Sequence, residues 1–480
     1  MHFIKDFIKC YIKELCKLTN LSFSTGIFPD CLKTAVISPI FKQGDTHLFT
    51  NYRPISLLPQ ISKIVEKCFE VRLLSFLTKH NILVNEQYGF RKNISTEMAI
   101  VDFIENIVAK ISKINYVAAV TLDFKKAFDC VNRKILLQKL EIYGIRGIAH
   151  QWITSYFINR SQIVKINDIK SNSEPIEIGV PQGSILGPLF FLVYINDIVN
   201  TTRLCQFFMF ADDTNVVISA DSYEKLCKNT NKILDSVSKW LCLNRIAINA
   251  KKCFTISFGC KDLANIKLSG ETVLASKSIK YLGIIIDRNL TFRLNTEHVT
   301  AKLNRSIGVY RKLRNLIDYK TKILLYNSFF LSHLNYCVII HGHKYKSFST
   351  SFNLLQLRAI SALFKCSHKQ AAIIMKTNKL LDFHGIIKYN VAIFMFKAFN
   401  NQLPTQLLSL FTKYKDIHSR DSINAFNFLV SRAQNKLSYD CISVYGVKIW
   451  NSLPIKLKQI NSICLFKKEL KRVSLTHQLT

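Results

Sequence analysis

Acidic residues at two places in this 480-residue chain have the setting of a catalytic carboxylate cluster. Asp123 ends a continuous apolar run, and Asp212-Asp213 lies between two short apolar segments. Neighbouring strands of one sheet would bring these carboxylates together. Facing carboxylates need cations, and a pair of Mg²⁺ ions about 3.5–4 Å apart can activate a hydroxyl and stabilise a leaving pyrophosphate. The pattern indicates phosphoryl transfer, and an ordinary acidic loop is the alternative.

A second candidate segment, Gly179-Val180-Pro181-Gln182-Gly183-Ser184, precedes a long apolar run. Its glycines allow a ligand to approach the backbone closely, and Gln182 offers a hydrogen-bonding amide. The helix expected after it would direct the positive end of its dipole towards the same place. The segment therefore predicts a ligand-binding loop, with an ordinary turn before a core helix as the alternative.

Hydrophobic periodicity predicts the elements that would position these residues. The apolar residues 117–122 lack polar alternation, which is typical of a strand buried on both faces. Residues 207–210 and 215–218 predict a hairpin with the aspartate pair near its turn. Further strands are expected at residues 34–41, 253–258 and 279–286. Apolar positions three and four apart predict helices at residues 7–21, 61–79, 95–112, 133–143 and 223–243.

The pattern becomes almost wholly helical after residue 291, so the best domain boundary lies near residue 290. The first helix there has an apolar face, formed by Val299, Leu303, Ile307, Tyr310, Leu313 and Ile317. Lys302, Arg305 and Lys312 fall on its other faces. The predicted fold class is α+β, with a mostly α-helical C-terminal region.

The charge balance favours a polyanionic partner. Lys and Arg total 66 against 32 for Asp and Glu, which gives a formal net charge of +34. Such a surplus attracts phosphate backbones and releases their counterions, so nucleic acid is the leading partner. A solubilising lysine bias and adhesion to an anionic membrane are the alternatives. With 49% hydrophobic residues, the chain is too apolar to be disordered.

The sequence predicts an intracellular protein without a membrane partner. No apolar run reaches the roughly 18–20 residues of a membrane span, and charges interrupt the N-terminus before a signal-peptide core forms. The 14 cysteines include no Cys-x-x-Cys pair and are expected to be reduced. His333, Cys337, His341 and His343 lack the paired spacing of a structural zinc site, so zinc is not expected there.

Seven motifs in order along the chain resemble a known family. They are Asn51-Tyr52-Arg53-Pro54-Ile55-Ser56-Leu57, Gln87-Tyr88-Gly89-Phe90-Arg91 through Thr96, Leu122-Asp123 with Ala127-Phe128-Asp129, the Pro-Gln-Gly-Ser segment, Phe210-Ala211-Asp212-Asp213, Asn249 with Lys252, and Tyr281-Leu282-Gly283. In these motifs the chain resembles the reverse transcriptases of non-LTR retrotransposons, particularly jockey-like and related elements. The resemblance covers almost the whole chain, and a chance match to all seven motifs is implausible.

The resemblance implies a right-hand polymerase with fingers, palm and thumb. Residues 1–32 would be an N-terminal helical extension, and residues 33–290 the fingers and palm. Residues 291–375 would be a thumb-like helical region, and residues 376–480 a C-terminal region of unknown role. In that last region, Tyr445-Gly446 and Trp450-Asn451-Ser452-Leu453-Pro454 resemble a segment common in these elements.

For the acidic residues, the resemblance implies a metal-binding triad. Asp123, Asp212 and Asp213 would hold two Mg²⁺ ions, for which Mn²⁺ can substitute. The carbonyl of Phe124 would be an additional ligand where the nucleotide binds. Asp129 is expected to turn the chain and not to bind metal.

Two further motifs are assigned by the resemblance. Lys252 matches a lysine suited to protonating the leaving pyrophosphate and would belong to the catalytic machinery. One more solvated lysine beside Lys251 is the alternative. Tyr281-Leu282-Gly283 would form the primer grip.

The resemblance also implies the nucleotide site. Phe128 follows the first aspartate by five residues, where the family places a bulky side chain that collides with a ribose 2′-hydroxyl. Arg53 and Arg91 would contact the triphosphate, because a guanidinium is a charged fork for phosphate oxygens. Gln182 and Gly183 would lie against the incoming nucleotide. A core position for Phe128 and a structural ion pair for Arg53 are the alternatives.

The function implied is that of an RNA-directed DNA polymerase that extends a primer 3′-hydroxyl by two-metal phosphoryl transfer. Its partners would be an RNA template, a DNA primer or target DNA, and dNTPs, in a nuclear or cytoplasmic ribonucleoprotein; the oligomeric state stays undefined. We expect a truncated element or an incomplete gene model, because the chain has no room for the N-terminal endonuclease that nicks the target.

Two alternatives remain open. One is a decayed retroelement remnant that only binds RNA. The other, less favoured, is an RNA-dependent RNA polymerase. Those enzymes typically carry Gly where this chain has Ala211, and they leave room for the 2′-hydroxyl where Phe128 lies.

Overall fold

The computed structural model describes residues 2–114, 116–417 and 423–477. Its strands are β1 (Thr34–Phe41), β2 (Tyr52–Leu57), β3 (Tyr116–Leu122), β4 (Ser161–Ile166), β5 (Ile169–Lys170), β6 (Glu174–Pro175), β7 (Gln206–Phe210), β8 (Asp213–Ala220), β9 (Phe254–Phe258), β10 (Lys267–Leu268), β11 (Glu271–Thr272), β12 (Leu274–Ala275), β13 (Ser278–Tyr281) and β14 (Ile284–Asp287).

The α-helices are α1 (His2–Thr25), α2 (Gln60–Lys79), α3 (Thr96–Lys113), α4 (Arg133–Ile142), α5 (Gly147–Phe157), α6 (Leu186–Ile195), α7 (Tyr223–Leu243), α8 (Arg293–Leu313), α9 (Tyr319–Leu325), α10 (Ser332–Asn335), α11 (Val338–His341), α12 (Lys346–Phe364), α13 (His368–Thr377), α14 (Phe383–Phe399), α15 (Thr405–Leu408), α16 (Lys436–Tyr439), α17 (Val447–Asn451), α18 (Ile455–Lys458) and α19 (Ile463–His477). Short 3₁₀ turns lie at Asp30–Leu32, Phe49–Asn51, Asn196–Thr201, Ala250–Lys252, Tyr414–Asp416 and Ile423–Phe426, and π-helical turns at Tyr326–Leu331 and Ile442–Gly446.

A five-stranded sheet with the order β12-β9-β3-β8-β7 forms the centre of the molecule. The buried strand β3 lies in its middle and pairs antiparallel with both β8 and β9. Strands β7 and β8 form the predicted hairpin around the aspartate pair. The expected strands at residues 117–122 and 253–258 are therefore confirmed.

A second sheet has the order β2-β1-β4-β5, with β6 added to β4. Strand β1 confirms the prediction for residues 34–41 even though it contains Pro39. The proline is tolerated because β4 pairs with β1 only as far as Ile37, and the residue opposite Pro39 in β2 is Pro54. Two facing prolines donate no backbone hydrogen bonds to each other, which is compatible only with a non-hydrogen-bonded pair.

The central sheet separates two apolar cores because residues of β3 alternate between its faces. Val117 and Ala119 enter a core shared with α3, α8 and the C-terminal helices. Ala118 and Val120 enter a core shared with α2 and α4–α7. The first core continues without interruption across residue 290, so the C-terminal helices pack directly on the sheet.

The predicted helices are confirmed to within a residue at each end, except that α1 extends beyond the predicted range at both ends, from residue 2 to residue 25. Polar side chains start several of them: Ser95 accepts a hydrogen bond from Met98 N in α3, and Ser222 accepts one from Lys225 N in α7. Gly144, with φ of +91°, follows α4. None of the helices in the described ranges is both long and apolar enough to span a membrane.

One predicted strand, at residues 279–286, is instead the hairpin β13–β14. The chain reverses because Leu282 and Gly283 both have positive φ, at +46° and +86°. Leucine rarely adopts this conformation, so Gly283 is the local signal for the turn and Leu282 gives none. The proposed primer-grip motif therefore forms the tip of a hairpin.

The C-terminal motif organises the helical region. The Trp450 side chain is fully buried, and its Nε1 donates to the carbonyl of Phe426 at 2.8 Å. Asn451 accepts from Phe428 N at 3.0 Å and donates to its carbonyl at 2.8 Å. Gly446 leaves no space for a side chain, because an added Cβ would lie 2.8 Å from Ile442 Cδ1. These contacts give the motif a structural role.

Candidate active site

The three candidate aspartates lie at one edge of the central sheet. Asp123 directly follows β3, whose last residue Leu122 pairs with Thr214 of β8. Asp213 begins β8, and Asp212 precedes it in the turn from β7. Adjacent strands thus bring together carboxylates that are distant in sequence.

The electrostatics show that these carboxylates interact. Asp212 and Asp213 are exposed at the turn, and the surrounding protein also partly desolvates them. Desolvation raises the pKa of Asp212, and the charge of Asp123 raises it further. Desolvation likewise raises the pKa of Asp213, followed by the charges of Asp212 and Asp123. The positive charge of Lys42 opposes both increases, and Arg53 opposes the one at Asp212. A bound cation would relieve this repulsion.

The donor chemistry fits a hard divalent cation, because carboxylate oxygens are the ligands that Mg²⁺ and Mn²⁺ prefer. The described residues, however, contain no set of three or more His, Cys, Asp or Glu side chains already arranged to hold a metal ion. The aspartates are therefore neighbours at one sheet edge and not a preassembled ligand set. Two-ion binding stays a prediction.

The histidines of the His333, Cys337, His341 and His343 set have other surroundings. His343 Nε2 lies 2.8 Å from the carbonyl oxygen of Asp440, and its ring stacks on Tyr445 at 4.0 Å. His341 is 2% exposed, and neither of its ring nitrogens has a hydrogen-bond partner among the described residues. Burial lowers the pKa of both histidines to about 4.

Phe128 is held between two other aromatic rings. It stacks on Phe191 with centroids 4.6 Å apart and meets Phe90 edge-on at 6.2 Å. Such fixed packing is what a steric gate needs, and the role of Phe128 stays a prediction. Phe124 is buried and forms an isolated bridge with Ile248, which fixes the backbone just after the first aspartate.

The Pro-Gln-Gly-Ser segment is tied to two neighbouring parts of the chain. Gln182 Nε2 donates to Asp129 Oδ1 at 2.8 Å, and the Gln182 carbonyl accepts from Ser56 N at 2.7 Å. Gly183 has φ of +122°, and a Cβ added there would lie 2.6 Å from the Ser56 carbonyl oxygen. These contacts connect the segment to both β2 and the turn after β3. Contact of Gln182 or Gly183 with a nucleotide stays a prediction.

The N-terminus of α6 is capped by a protein carboxylate. Glu66 is fully buried, and its Oε2 accepts from Ile185 N at 2.8 Å and from Leu186 N at 3.3 Å. Its Oε1 accepts from the Ser62 hydroxyl at 2.8 Å. Glu66 thus accepts from two of the N–H groups at this helix end, and the expectation that the helix dipole acts on a ligand stays a prediction.

The two predicted triphosphate contacts have different surroundings. Arg53 is exposed on β2, and its charge reaches Asp212. Arg91 is half-buried, and its Nη1 donates to the carbonyls of Val84 at 3.0 Å and Gln87 at 3.4 Å. Desolvation lowers the pKa of Arg91. The structure thus brings Arg53 near the carboxylates, whereas Arg91 supports its own loop. The triphosphate contacts of both residues stay predictions.

The Asn249 and Lys252 motif is joined to the first aspartate through the backbone. Asn249 N donates to the carbonyl of Asp123 at 2.8 Å, and Lys252 N donates to the carbonyl of Asn249 at 2.9 Å. The Lys252 side chain is exposed. This places the lysine one short turn from Asp123, and its role as an acid stays a prediction.

The hairpin with Tyr281-Leu282-Gly283 contacts the helical region. The Tyr336 hydroxyl lies 2.5 Å from the Leu282 carbonyl oxygen and 3.2 Å from the Thr96 hydroxyl. An added Cβ on Gly283 would lie 3.4 Å from the Tyr336 ring. One side chain therefore connects the hairpin, α3 and the segment after α10.

Helix α8 presents a basic surface beside this hairpin. Its predicted apolar face is buried at Val299, Leu303, Ile307 and Tyr310. Desolvation lowers the pKa of His298, and the positive charges of Lys302, Lys280 and Arg305 lower it further. Since Lys280 lies on β13, the cationic surface spans both elements. Such a surface suits sequence-independent phosphate contact.

Sequence reasoning missed four residues that build the site. Lys42 resembled any other lysine, and Glu66 lies within an amphipathic helix without a distinguishing signal. Gln87 and Gly89 belong to a motif that the sequence analysis recognised without giving either residue a role. Their place in that motif was the signal that could have identified them. Their contacts are with the aspartate turn: Gln87 accepts a hydrogen bond from Ala211 N, and Gly89 packs against the same backbone.

The matched family gives the class of this protein. Residues 40–286 match the family described as reverse transcriptase (RNA-dependent DNA polymerase), and the chain belongs to this family. This segment contains both strands with the aspartates and ends in the β13–β14 hairpin.

The chain is also similar to curated proteins of mobile elements. The chain is 27% identical over 73% of its length to the RNA-directed DNA polymerase from mobile element jockey of Drosophila melanogaster. It is 28% identical over 74% of its length to the probable RNA-directed DNA polymerase from transposon BS of the same organism. The matched parts cover 39% and 41% of those proteins, so the chain spans about two fifths of their length. A solved structure of telomerase from Candida albicans with a fragment of telomeric RNA is 12% identical, with a TM-score of 0.45; the match covers 72% of this chain and 65% of that one.

Proposed function

We propose that this chain is the RNA-directed DNA polymerase of a non-LTR retrotransposon. The observation that carries the proposal is the edge of the central sheet, where Asp123, Asp212 and Asp213 meet within the family segment. The likeness to jockey and BS polymerases supports the same assignment.

In this proposal, successive parts of the chain correspond to those of a right-hand polymerase. The β2-β1-β4-β5 sheet with its helices would form the fingers, and the central sheet the palm, within residues 33–290. Residues 291–375 would form the thumb, with the basic face of α8 on the nucleic acid. Residues 376–480 would brace the thumb, and residues 1–32 would extend the fingers.

The proposed reaction extends a primer 3′-hydroxyl on an RNA template. Bound Mg²⁺, or Mn²⁺ in its place, would activate the hydroxyl and neutralise the charge that develops on the phosphates. Asp123 and Asp212, with Asp213 and the Phe124 carbonyl, would hold the ions. Arg53 would orient the triphosphate. The other members are assigned by position: Lys42 beside the carboxylates, Arg91, Gln182 and Gly183 around the nucleotide, and Lys252 as the acid for pyrophosphate.

Selection of deoxynucleotides is proposed to rest on Phe128. The ring is restrained by Phe191 and Phe90, so it cannot turn aside without disturbing both contacts. A 2′-hydroxyl approaching the fixed ring would be rejected sterically. Tyr281-Leu282-Gly283 would support the primer end from the opposite side.

The partners proposed are an RNA template, a DNA primer or target DNA, and dNTPs. The basic surface formed by α8 and β13 supports nucleic-acid binding. The complex is proposed to be an intracellular ribonucleoprotein in the nucleus or cytoplasm.

Primer extension tests the proposal. The wild type, Asp212→Asn and Asp221→Asn would each be given an RNA template, a DNA primer and either dNTPs or NTPs, with Mg²⁺ or Mn²⁺. Asp221 is a matched control because it is exposed and pairs only locally, with Lys225 at 2.7 Å. We expect synthesis with dNTPs, unchanged in Asp221→Asn and reduced by roughly 1,000-fold or more in Asp212→Asn, since a metal ligand is lost.

Each other outcome selects an alternative. Incorporation of NTPs in place of dNTPs would support an RNA-dependent RNA polymerase. A folded wild type that binds RNA but extends no primer under any condition would support a decayed, RNA-binding remnant.

A further inference from the structure

The turn that carries Asp212 has an unfavourable backbone conformation. Ala211 has φ of +57°, in the left-handed region that residues with a Cβ rarely adopt. Such a conformation persists only when surrounding groups fix it. Because Asp212 is the next residue, any relaxation of Ala211 would redirect its carboxylate.

The buried amide of Gln87 binds both backbone polar groups of Ala211. Gln87 is 2% exposed, and its Oε1 accepts from Ala211 N at 2.9 Å and from Gly89 N at 2.7 Å. Its Nε2 lies 3.4 Å from the Ala211 carbonyl oxygen. Two N–H donors converge on one oxygen, which fixes the orientation of the amide.

The segment that carries Gln87 is itself fastened to β7. Met209 N donates to the Glu86 carbonyl at 2.9 Å, and Tyr88 N donates to the Met209 carbonyl at 2.8 Å. The Tyr88 hydroxyl also donates to Asp102 Oδ2 on α3 at 2.7 Å. Hydrogen bonds to β7 and to α3 therefore hold in place the segment that carries the Gln87 amide.

Close packing reinforces these hydrogen bonds. A Cβ on Gly89 would lie 2.2 Å from Ala211 N and 2.9 Å from the carbonyl carbon of Phe210. Only glycine allows the two backbones to approach so closely. The hydrogen bonds and this contact act on the same residue of the turn.

We propose that Gln87 is a positioning residue that keeps Ala211 left-handed and thereby holds the Asp212 carboxylate beside Asp123. This inference deepens the proposed polymerase function and rests on it. Gln87 acts only through the Ala211 backbone and is not placed against the reacting atoms.

The decisive variant is Gln87→Met, which approximately keeps the side-chain volume and removes the amide. We expect kcat for primer extension to fall by roughly 10- to 100-fold, because small misplacements of catalytic groups have effects of that size. We expect KM for the template–primer to stay within about twofold and the Mg²⁺ concentration for half-maximal rate to rise. Gln138→Met, at an exposed position on α4, is the matched control and should match the wild type.

The rescue variant distinguishes positioning from general damage. Glycine adopts positive φ without strain, so adding Ala211→Gly to Gln87→Met should restore most of kcat. A normal kcat in Gln87→Met would overturn the proposal. So would a folded Gln87→Met protein whose lost activity Ala211→Gly does not restore.

Amide hydrogen exchange gives a readout that needs no catalysis. In Gln87→Met, peptides covering residues 205–215 should exchange faster than in the wild type, and adding Ala211→Gly should leave that increase in place, since the hydrogen bond to Ala211 N is still lost. Unchanged exchange in Gln87→Met would overturn the inference. An inactive wild type whose exchange responds in this way would contradict the polymerase function and still support the structural role of Gln87.

Discussion

The sheet-containing half of the molecule and the helical region after residue 290 treat buried polar groups differently. In the first half, the side chains of Glu66, Gln87 and Arg133 are buried and hydrogen-bonded to backbone groups far away in sequence. In the helical region, polar side chains instead join parts of the scaffold: Gln356 Nε2 donates to the carbonyl of Leu381 at 3.1 Å, and Asn451 binds both backbone groups of Phe428.

This difference shows what each half must fix. The active-site half needs particular backbone conformations at particular loops, and buried polar side chains impose them through directional bonds. The helical region needs a packed scaffold with a basic surface, and aromatic packing around Trp450 contributes to that scaffold. Changes at the loops of the first half should therefore act on catalysis, whereas changes inside the scaffold of the second should act on stability.

Among changes that compare the two halves, the largest effect is expected from Gly89→Ala, because the new Cβ would collide with the Ala211 backbone at 2.2 Å. The turn must shift, so primer extension should fall by roughly 100-fold or more. The measurement is steady-state kinetics beside circular dichroism at the same temperature. A folded variant with wild-type kinetics would show that the turn does not depend on this contact and would remove the contrast between the halves.

The next prediction concerns how the unfolding free energy depends on pH, to which the buried His341 of the helical region should contribute. His341 has a pKa of about 4 in the fold and about 6.5 when unfolded. Between these values the unfolded chain binds a proton that the folded chain does not, so stability falls as pH falls. The loss attributable to His341 should approach the order of 3 kcal/mol near pH 4.

Urea unfolding from pH 7.5 to pH 4.5 measures this loss. In His341→Leu the dependence on pH should be smaller than in the wild type, because the titrating group is gone. His47→Asn, at an exposed position in the sheet-containing half, is the control and should keep the wild-type slope. Equal slopes in the wild type and His341→Leu would contradict the assignment.

A smaller effect is expected where the two halves meet. Ser443 donates from its backbone N at 3.1 Å and its hydroxyl at 2.7 Å to the buried carboxylate of Glu105 on α3. Ser443→Ala removes one of these donors, which should cost about 1–3 kcal/mol of unfolding free energy. Urea unfolding at pH 7 measures it, with Ser452→Ala at an exposed position as the control. A loss no larger than that of the control would mean that this bond does not join the halves.

The smallest effect is a gain in stability within the helical region. Gly308 lies in the interior of α8, and an added Cβ would meet nothing within 4 Å. Gly308→Ala should raise the unfolding free energy by about 0.5–1 kcal/mol. Thermal unfolding measures this gain. If Gly308→Ala instead destabilised the protein, the expected difference between a crowded Gly89 and an unobstructed Gly308 would be contradicted.

Local patterns predicted most elements of this fold. Helix α7 matches its predicted range, because its capping residue and its apolar spacing are both local features of the sequence. The β7–β8 hairpin was predicted for the same reason. The β13–β14 turn was not, because Leu282 takes a positive φ that only its tertiary surroundings impose.

The site was predictable only in part, for a related reason. Strand pairing brings Asp123 to the Asp212-Asp213 turn. The apolar runs beside these aspartates predicted the two strands, β3 and β8. The groups that shape the site act across long separations: Glu66 caps α6 and Gln87 holds Ala211. A helix pattern or a motif does not say which distant backbone a buried side chain will bind.

The short segment Gly89-Phe90 has a consequence for how such an enzyme can change. Gly89 packs behind the turn that presents Asp212, and the ring of Phe90 touches Phe128. Under the proposed function, these two adjacent residues affect the reaction rate and the choice between deoxyribose and ribose. A substitution that shifts the backbone of this segment should therefore change the reaction rate and the sugar selection together.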